Sequence, residues 1–187
     1  KGKTTSDLAK ANMAPEAYEA FTEHSVFTPG NYFYNGIGHV CVDYAKVLKI
    51  GYKGIIAEAE KALSKLEVSD GDYVSRSNFL YAVIESCEAV IEYARRYSVL
   101  ARDMASKETN SERKRELELI AKNCARVPEF GATSFYEACQ SFWFVQLLLQ
   151  VESSGHSISP GRFDRYMYPY YKADVDAGKI TREQAQE

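Results

Sequence analysis

Cysteine is sparse and scattered, with four in 187 residues at Cys41, Cys87, Cys124 and Cys139, and no CxxC. That spacing excludes a compact zinc or redox motif and does not suit a disulfide frame, so reduced thiols of a cytoplasmic protein are expected. Basic charge is not in excess. The 23 Lys and Arg are dispersed among 26 acidic residues for a net charge of −3, which removes any general attraction for nucleic acid or anionic membrane. Long apolar runs are missing as well. The most apolar stretch, residues 142–151, falls far short of the roughly 20 residues a membrane helix needs. No apolar run follows Lys1-Gly2-Lys3-Thr4, so no secretory leader is expected. There is no Walker loop, HExxH or GxSxG. Gly36-Ile37-Gly38-His39-Val40-Cys41 opens like a dinucleotide fingerprint but lacks its third glycine, and no nucleotide site is expected from it. No metal site is expected either.

What is present is helix. Apolar residues make up 45% of the chain, and the 14 Tyr and nine Phe offer large contact surfaces with polar handles. Ser6 and Asp7 are placed to cap a short helix, and Pro15 suits the first turn of another. From Asp43 an apolar pattern runs through Val47, Ile50, Ile55, Ala59 and Leu66, interrupted by Gly51 and Gly54, which permit close packing or a kink. After the turn at Ser69-Asp70-Gly71-Asp72, a long pattern runs from Phe79 through Cys87, Ile91, Ala94, Tyr97 and Ala101 to Met104. Asn110-Ser111 starts a further charged helix. Ser134 and Glu137 have capping-box spacing ahead of a segment apolar nearly all round, Phe135 to Leu149, which calls for cover on every side. Two stretches differ: residues 31–44, NYFYNGIGHVCVDY, and residues 153–162, SSGHSISPGR, read as short extended segments leading into helices. The expected class is mainly α with a few short strands.

The residues able to carry chemistry cluster in those two segments. His39 lies among glycines that allow close approach of a backbone or ligand. A structural histidine and a ligand contact both remain open for it. His156 and Ser157 emerge from the apolar helix, where polar groups must be hydrogen-bonded either by the protein or by a hydroxylated ligand. Imidazoles titrate near neutrality and suit proton transfer to or from hydroxyls. Cys41 would share a strand face with His39 and is read as packing. His24 is read as solvated or capping, and Asp43 as a helix cap. Arg162 and Asp164 are spaced to pair. The run Tyr166-Met167-Tyr168-Pro169-Tyr170-Tyr171 has too few cations around it for a nucleic-acid platform and is read as packing.

Residues 27–56, FTPGNYFYNGIGHVCVDYAKVLKIGYKGII, and 152–171, ESSGHSISPGRFDRYMYPYY, together resemble the two pocket segments of the B12-independent glycerol and propanediol dehydratases, glycyl radical enzymes of the pyruvate formate-lyase-like superfamily. The opening GKTTSDLA, SCEA at 86–89 and SFYEACQSFWF at 134–144 fit as well, so the resemblance covers essentially the whole chain. SPGR is general to the superfamily; GHV with GHS is more specific to the diol dehydratases. The resemblance implies a fragment of a ten-stranded α/β barrel wrapped by helices. It implies a radical placed on a C-terminal glycine by an activase that uses S-adenosylmethionine and an iron–sulfur cluster, and a reactive cysteine in a GCVE-like motif. Neither the glycyl loop nor that cysteine is found in these residues, so no cofactor is expected on this chain. It further implies a small polyol substrate, a homodimeric parent, and a cytoplasmic or microcompartment location.

By the same resemblance His39, His156 and Ser157 contact the diol hydroxyls, with His39 as the acid for the departing one. The product would be an aldehyde and water. Choline-, hydroxyproline- or formate C-acetyltransferase-type lyases are the neighbouring alternatives, and a standalone helical binding module is the alternative from another class. The chain has no initiator Met, and Thr181 and Gln184 open a helix at its very end. Residues 1–187 are therefore expected to be one partial domain, truncated at both ends and inactive alone.

Overall fold

The computed structural model describes residues 5–24, 39–153 and 157–187. In chain order the elements are α1 (Thr5–Asn12), α2 (Pro15–Thr22), β1 (Val40–Cys41), α3 (Tyr44–Leu63), α4 (Tyr73–Lys107), α5 (Ser111–Cys124), α6 (Phe135–Ser153), β2 (Ile158–Ser159), α7 (Phe163–Asp176) and α8 (Arg182–Gln186). Helices α3, α5 and α8 start where the sequence places oxygen caps. Asp43 accepts the Lys46 N–H at 3.1 Å, Asn110 accepts from Glu112 and Arg113, and Thr181 with Gln184 closes a full capping box. Helix α1 begins at Thr5, so Ser6 and Asp7 lie in its first turn rather than at its cap. Two compact units are formed, Asp43–Gln146 with Arg162–Glu187 and Lys1–Val42 with Leu147–Gly161.

In the larger unit, α4 packs against α3 through Ile56, Cys87 and Ile91. Further along, Ala94 meets Cys124 of α5 and Phe144 of α6. The buried positions of α4 from Cys87 onward are Cys87, Ile91, Ala94, Ser98, Ala101 and Ala105. They alternate by four and three, the spacing of a coiled-coil seam. Their second half is small, which lets α5 approach until the Ser98 hydroxyl donates to the Ala121 carbonyl at 2.6 Å. This corrects the sequence expectation by one position: Ser98 and Ala105 are buried where Tyr97 and Met104 were expected, and Phe79 is 68% exposed.

Helix α3 is broken at Gly51, which takes φ 65° and ψ 178°. The break is compensated bond by bond. Tyr52 and Lys53 donate to the carbonyls of Pro128 and Glu129, both at 2.9 Å, and the freed Leu48 carbonyl accepts from Ala132 at 2.8 Å and the Tyr170 hydroxyl at 3.0 Å. Arg95 holds the buried Glu129 carboxylate through contacts of 2.8–3.2 Å.

The start of α6 is pinned from two sides. Asp174 of α7, itself paired with Lys179, accepts the Phe135 N–H at 2.7 Å. Ser134 caps Glu137 as expected, but the Glu137 carboxylate turns to Thr133 and Arg126. Leu48, Ala138 and Met167 close the core there, with Tyr166 and Tyr170 packed against it. Tyr166, Met167 and Tyr170 of the tyrosine run thus serve packing, as the sequence setting suggests, while Tyr168 is exposed.

In the smaller unit, β1 and β2 pair in parallel.

Candidate functional site

Val40 stands opposite Ile158 and Cys41 opposite Ser159. Parallel strands require a long crossover, which here is most of the chain. His39 and Ser157 are the residues that directly precede the first rung on the two strands. Both of these residues leave the strand conformation: His39 has φ 58° and Ser157 φ 54°. Non-glycine residues seldom occupy this left-handed region, and each such residue costs about 1–3 kcal/mol, a strain that clusters at ligand-binding and catalytic sites. The expectation that Cys41 shares a strand face with His39 is corrected by this turn, because the two-residue alternation stops at Val40.

His39, Val40, Cys41, Ser157, Ile158 and Ser159 line an open concavity of about 370 Å³. It combines an imidazole, able to give or take a proton, with hydroxyls that donate and accept. No Lys or Arg belongs to this lining among the described residues. His39 and Ser157, which the resemblance assigns to one site, both line this concavity. His156 lies outside the described residues.

Sequence reasoning missed what adjoins them. Gly161 has φ 64°, and its N–H donates to Ser159 Oγ at 3.2 Å. A Cβ on Gly161 would overlap the Cys41 Sγ. The signal was there in Pro160-Gly161, since a Pro followed by a Gly of positive φ is a tight-turn signature. Cys41, read as packing, is an exposed thiol resting on that glycine.

Other places offer less. A depression of about 500 Å³ along α4, bounded by Arg95, Arg96, Val99 and Leu100, is one face of a single helix. Glu19, Glu23 and His24 bring ligand atoms within 4.8 Å of one another, but all three are exposed. Arg162 pairs with Asp164 at 3.0–3.1 Å, and that guanidinium holds the Asp164 carboxyl below the usual carboxylate range.

The thiols do not fit a radical-bearing role. Cys87 and Cys124 are buried in helix seams, Cys139 is half-buried in α6, and burial pushes all three up, Cys124 to about 11. Cys41 has an acid two residues later, but the Asp43 carboxylate caps α3. No described helix is long and apolar enough to cross a membrane.

The sequence profile of the pyruvate formate lyase-like family matches residues 1–187. The chain belongs to this family. A solved structure concerned with 1,2-propanediol dehydration in Roseburia inulinivorans is 56% identical, with a TM-score of 0.86, and is matched over 100% of this chain and 22% of that one. The glycerol-bound B12-independent glycerol dehydratase of Clostridium butyricum is 52% identical, with a TM-score of 0.83, over 100% and 23%. The (2S)-3-sulfopropanediol dehydratase of Klebsiella oxytoca is 38% identical over 188 residues, 100% of this chain and 23% of the relative. The pyruvate formate lyase-like chain thus spans less than a quarter of the length of these relatives. Glycyl radical enzymes share its fold. The helices and two short strands are a portion of their α/β barrel, as the sequence resemblance implied.

Proposed function

We propose that residues 1–187 are one partial domain of a glycyl radical diol dehydratase and carry part of its substrate pocket. The parent would convert 1,2-propanediol to propanal and water, or glycerol to 3-hydroxypropanal and water. The observation that supports this reading is that His39 and Ser157 line one concavity, both in left-handed backbone. A hydroxide is a poor leaving group; protonated by the His39 imidazolium it departs as water. Ser157 and His156 would hold the diol hydroxyls and so fix which one leaves. Hydrogen-atom removal from the diol carbon falls to a cysteine and a glycine outside these residues, and the chain alone is inactive.

The reading brings with it an activase that uses S-adenosylmethionine and an iron–sulfur cluster, a homodimeric parent, and a cytoplasmic or microcompartment setting.

The test is product formation by the activated full-length protein, aldehyde from 1,2-propanediol, glycerol, 3-sulfopropanediol and choline and cyclic imine from trans-4-hydroxyproline. Turnover of the neutral diols is expected to dominate. Preference for choline, hydroxyproline or the sulfonate would replace this reading with another lyase of the family.

A further inference from the structure

Among the described residues the β1–β2 ladder has two rungs, Val40 with Ile158 and Cys41 with Ser159. So short a ladder defines its own register weakly, because few bonds are lost when one strand slips. Yet the register decides which residue shares the concavity with His39. A slip of one residue would replace Ser157 with a neighbour and turn the facing side chains over.

One contact beside the ladder resists such a slip. After Ser159 the chain passes through Pro160, whose φ is fixed by its ring, to Gly161 in the left-handed region at φ 64°. Gly161 folds back so that its N–H reaches Ser159 Oγ at 3.2 Å. The Cys41 Sγ occupies the space that a Cβ on Gly161 would fill. Cys41 and Ser159 are themselves the second rung. The thiol therefore sits in a notch formed by the turn that ends the partner strand. Sliding β2 either way would drive Pro160 or a residue beyond Gly161 against the sulfur, and both carry side-chain carbon where the notch has none.

We infer that Cys41 and Gly161 form a register lock that positions His39 against Ser157, with neither residue touching the reacting atoms. The inference rests on the proposed diol pocket for its functional reading and on the notch itself for its geometry. Three variants of the activated full-length protein test it: Cys41→Ala, Gly161→Ala and the double variant. Cys41→Ala empties the notch, and Gly161→Ala overfills it. Each is expected to raise the diol KM about five-fold, within the coupling range of contacting pairs, while the glycyl radical signal by EPR stays at the wild-type level. In the double variant the alanine methyl at 161 occupies the volume left by the sulfur, and KM is expected to return to within about two-fold of wild type. The melting temperature of the double variant should still fall, because alanine at positive φ remains strained. That split separates positioning from mere stability.

An unchanged KM in Cys41→Ala would overturn the lock, and so would single-variant losses that add in the double variant. If Gly161→Ala gives no soluble protein, Cys41→Ala alone decides by the same KM criterion. His39→Ala, assayed alongside, reads the proposed pocket separately. Activity retained there removes the acid role of His39 and leaves the reciprocal Cys41–Gly161 result to stand or fall by itself.

Discussion

Lys53 donates its backbone N–H to the carbonyl of Glu129 at 2.9 Å, completing a helix turn with an acceptor from outside the helix. The bond exists because Gly51, two residues earlier, takes φ 65° and opens α3. The backbone of Glu129 and Phe130 runs so close to Gly51 that any Cβ there would overlap it.

Gly51→Ala combines that overlap with backbone strain and should destabilise by at least about 2 kcal/mol. Gly71, in the turn before α4, has open space where its Cβ would project. Gly71→Ala is the matched control and should lie within about 0.5 kcal/mol of wild type. Thermal shift and soluble yield of the two variants make the comparison. Equal behaviour would show that the close approach at Gly51 carries no weight.

The thiol of Cys124 must stay neutral in the seam between α4, α5 and α6, and burial pushes it up to about 11. The unfolded thiol ionises from its ordinary value of 9.0. The folded state therefore holds its proton more tightly, and the stability this represents is complete below pH 9 and lost as pH rises toward 11. Two units correspond to about 2–3 kcal/mol. Melting temperatures between pH 8 and 11 should fall less steeply for Cys124→Ala than for the parent protein, although the alanine variant starts lower. Parallel curves would contradict the assignment.

His39 and Ser157 can be tested for strain apart from activity. At φ 58° alanine meets the left-handed penalty and glycine does not. His39→Gly should therefore melt higher than His39→Ala, by about 1 kcal/mol of stability, while both lose turnover. A glycine variant less stable than the alanine variant would argue against the left-handed turn.

Large apolar groups stand open along two helices. Phe79 and Val99 of α4 are 68% and 63% exposed, and Trp143 of α6 is 57% exposed. The pyruvate formate lyase-like chain expressed alone should self-associate at micromolar concentration. A monodisperse monomer by light scattering would contradict this.

Much of the helical framework was legible because its signals are local. Asp43, Asn110 and Thr181 announce helix starts by side-chain chemistry alone, and the long α4 pattern needs no tertiary context. The buried face of α4 was legible only to within one residue. Ser98 is chosen over Tyr97 because α5 approaches close enough for a hydroxyl to reach the Ala121 carbonyl, which no periodicity encodes. The two-residue strands were legible as extended segments but not as a pair, since their register depends on a contact between residues 41 and 161. The family was legible in SPGR and the longer segments 27–56 and 152–171, while the left-handed turns at His39 and Ser157 were not, because neither is a glycine.

His39 is proposed to act on the departing hydroxyl, with the radical residues outside positions 1–187. In the activated full-length protein, His39→Ala should keep its glycyl radical by EPR while aldehyde release from 1,2-propanediol or glycerol falls by about 100-fold or more. Turnover at the wild-type rate in that variant would contradict the account.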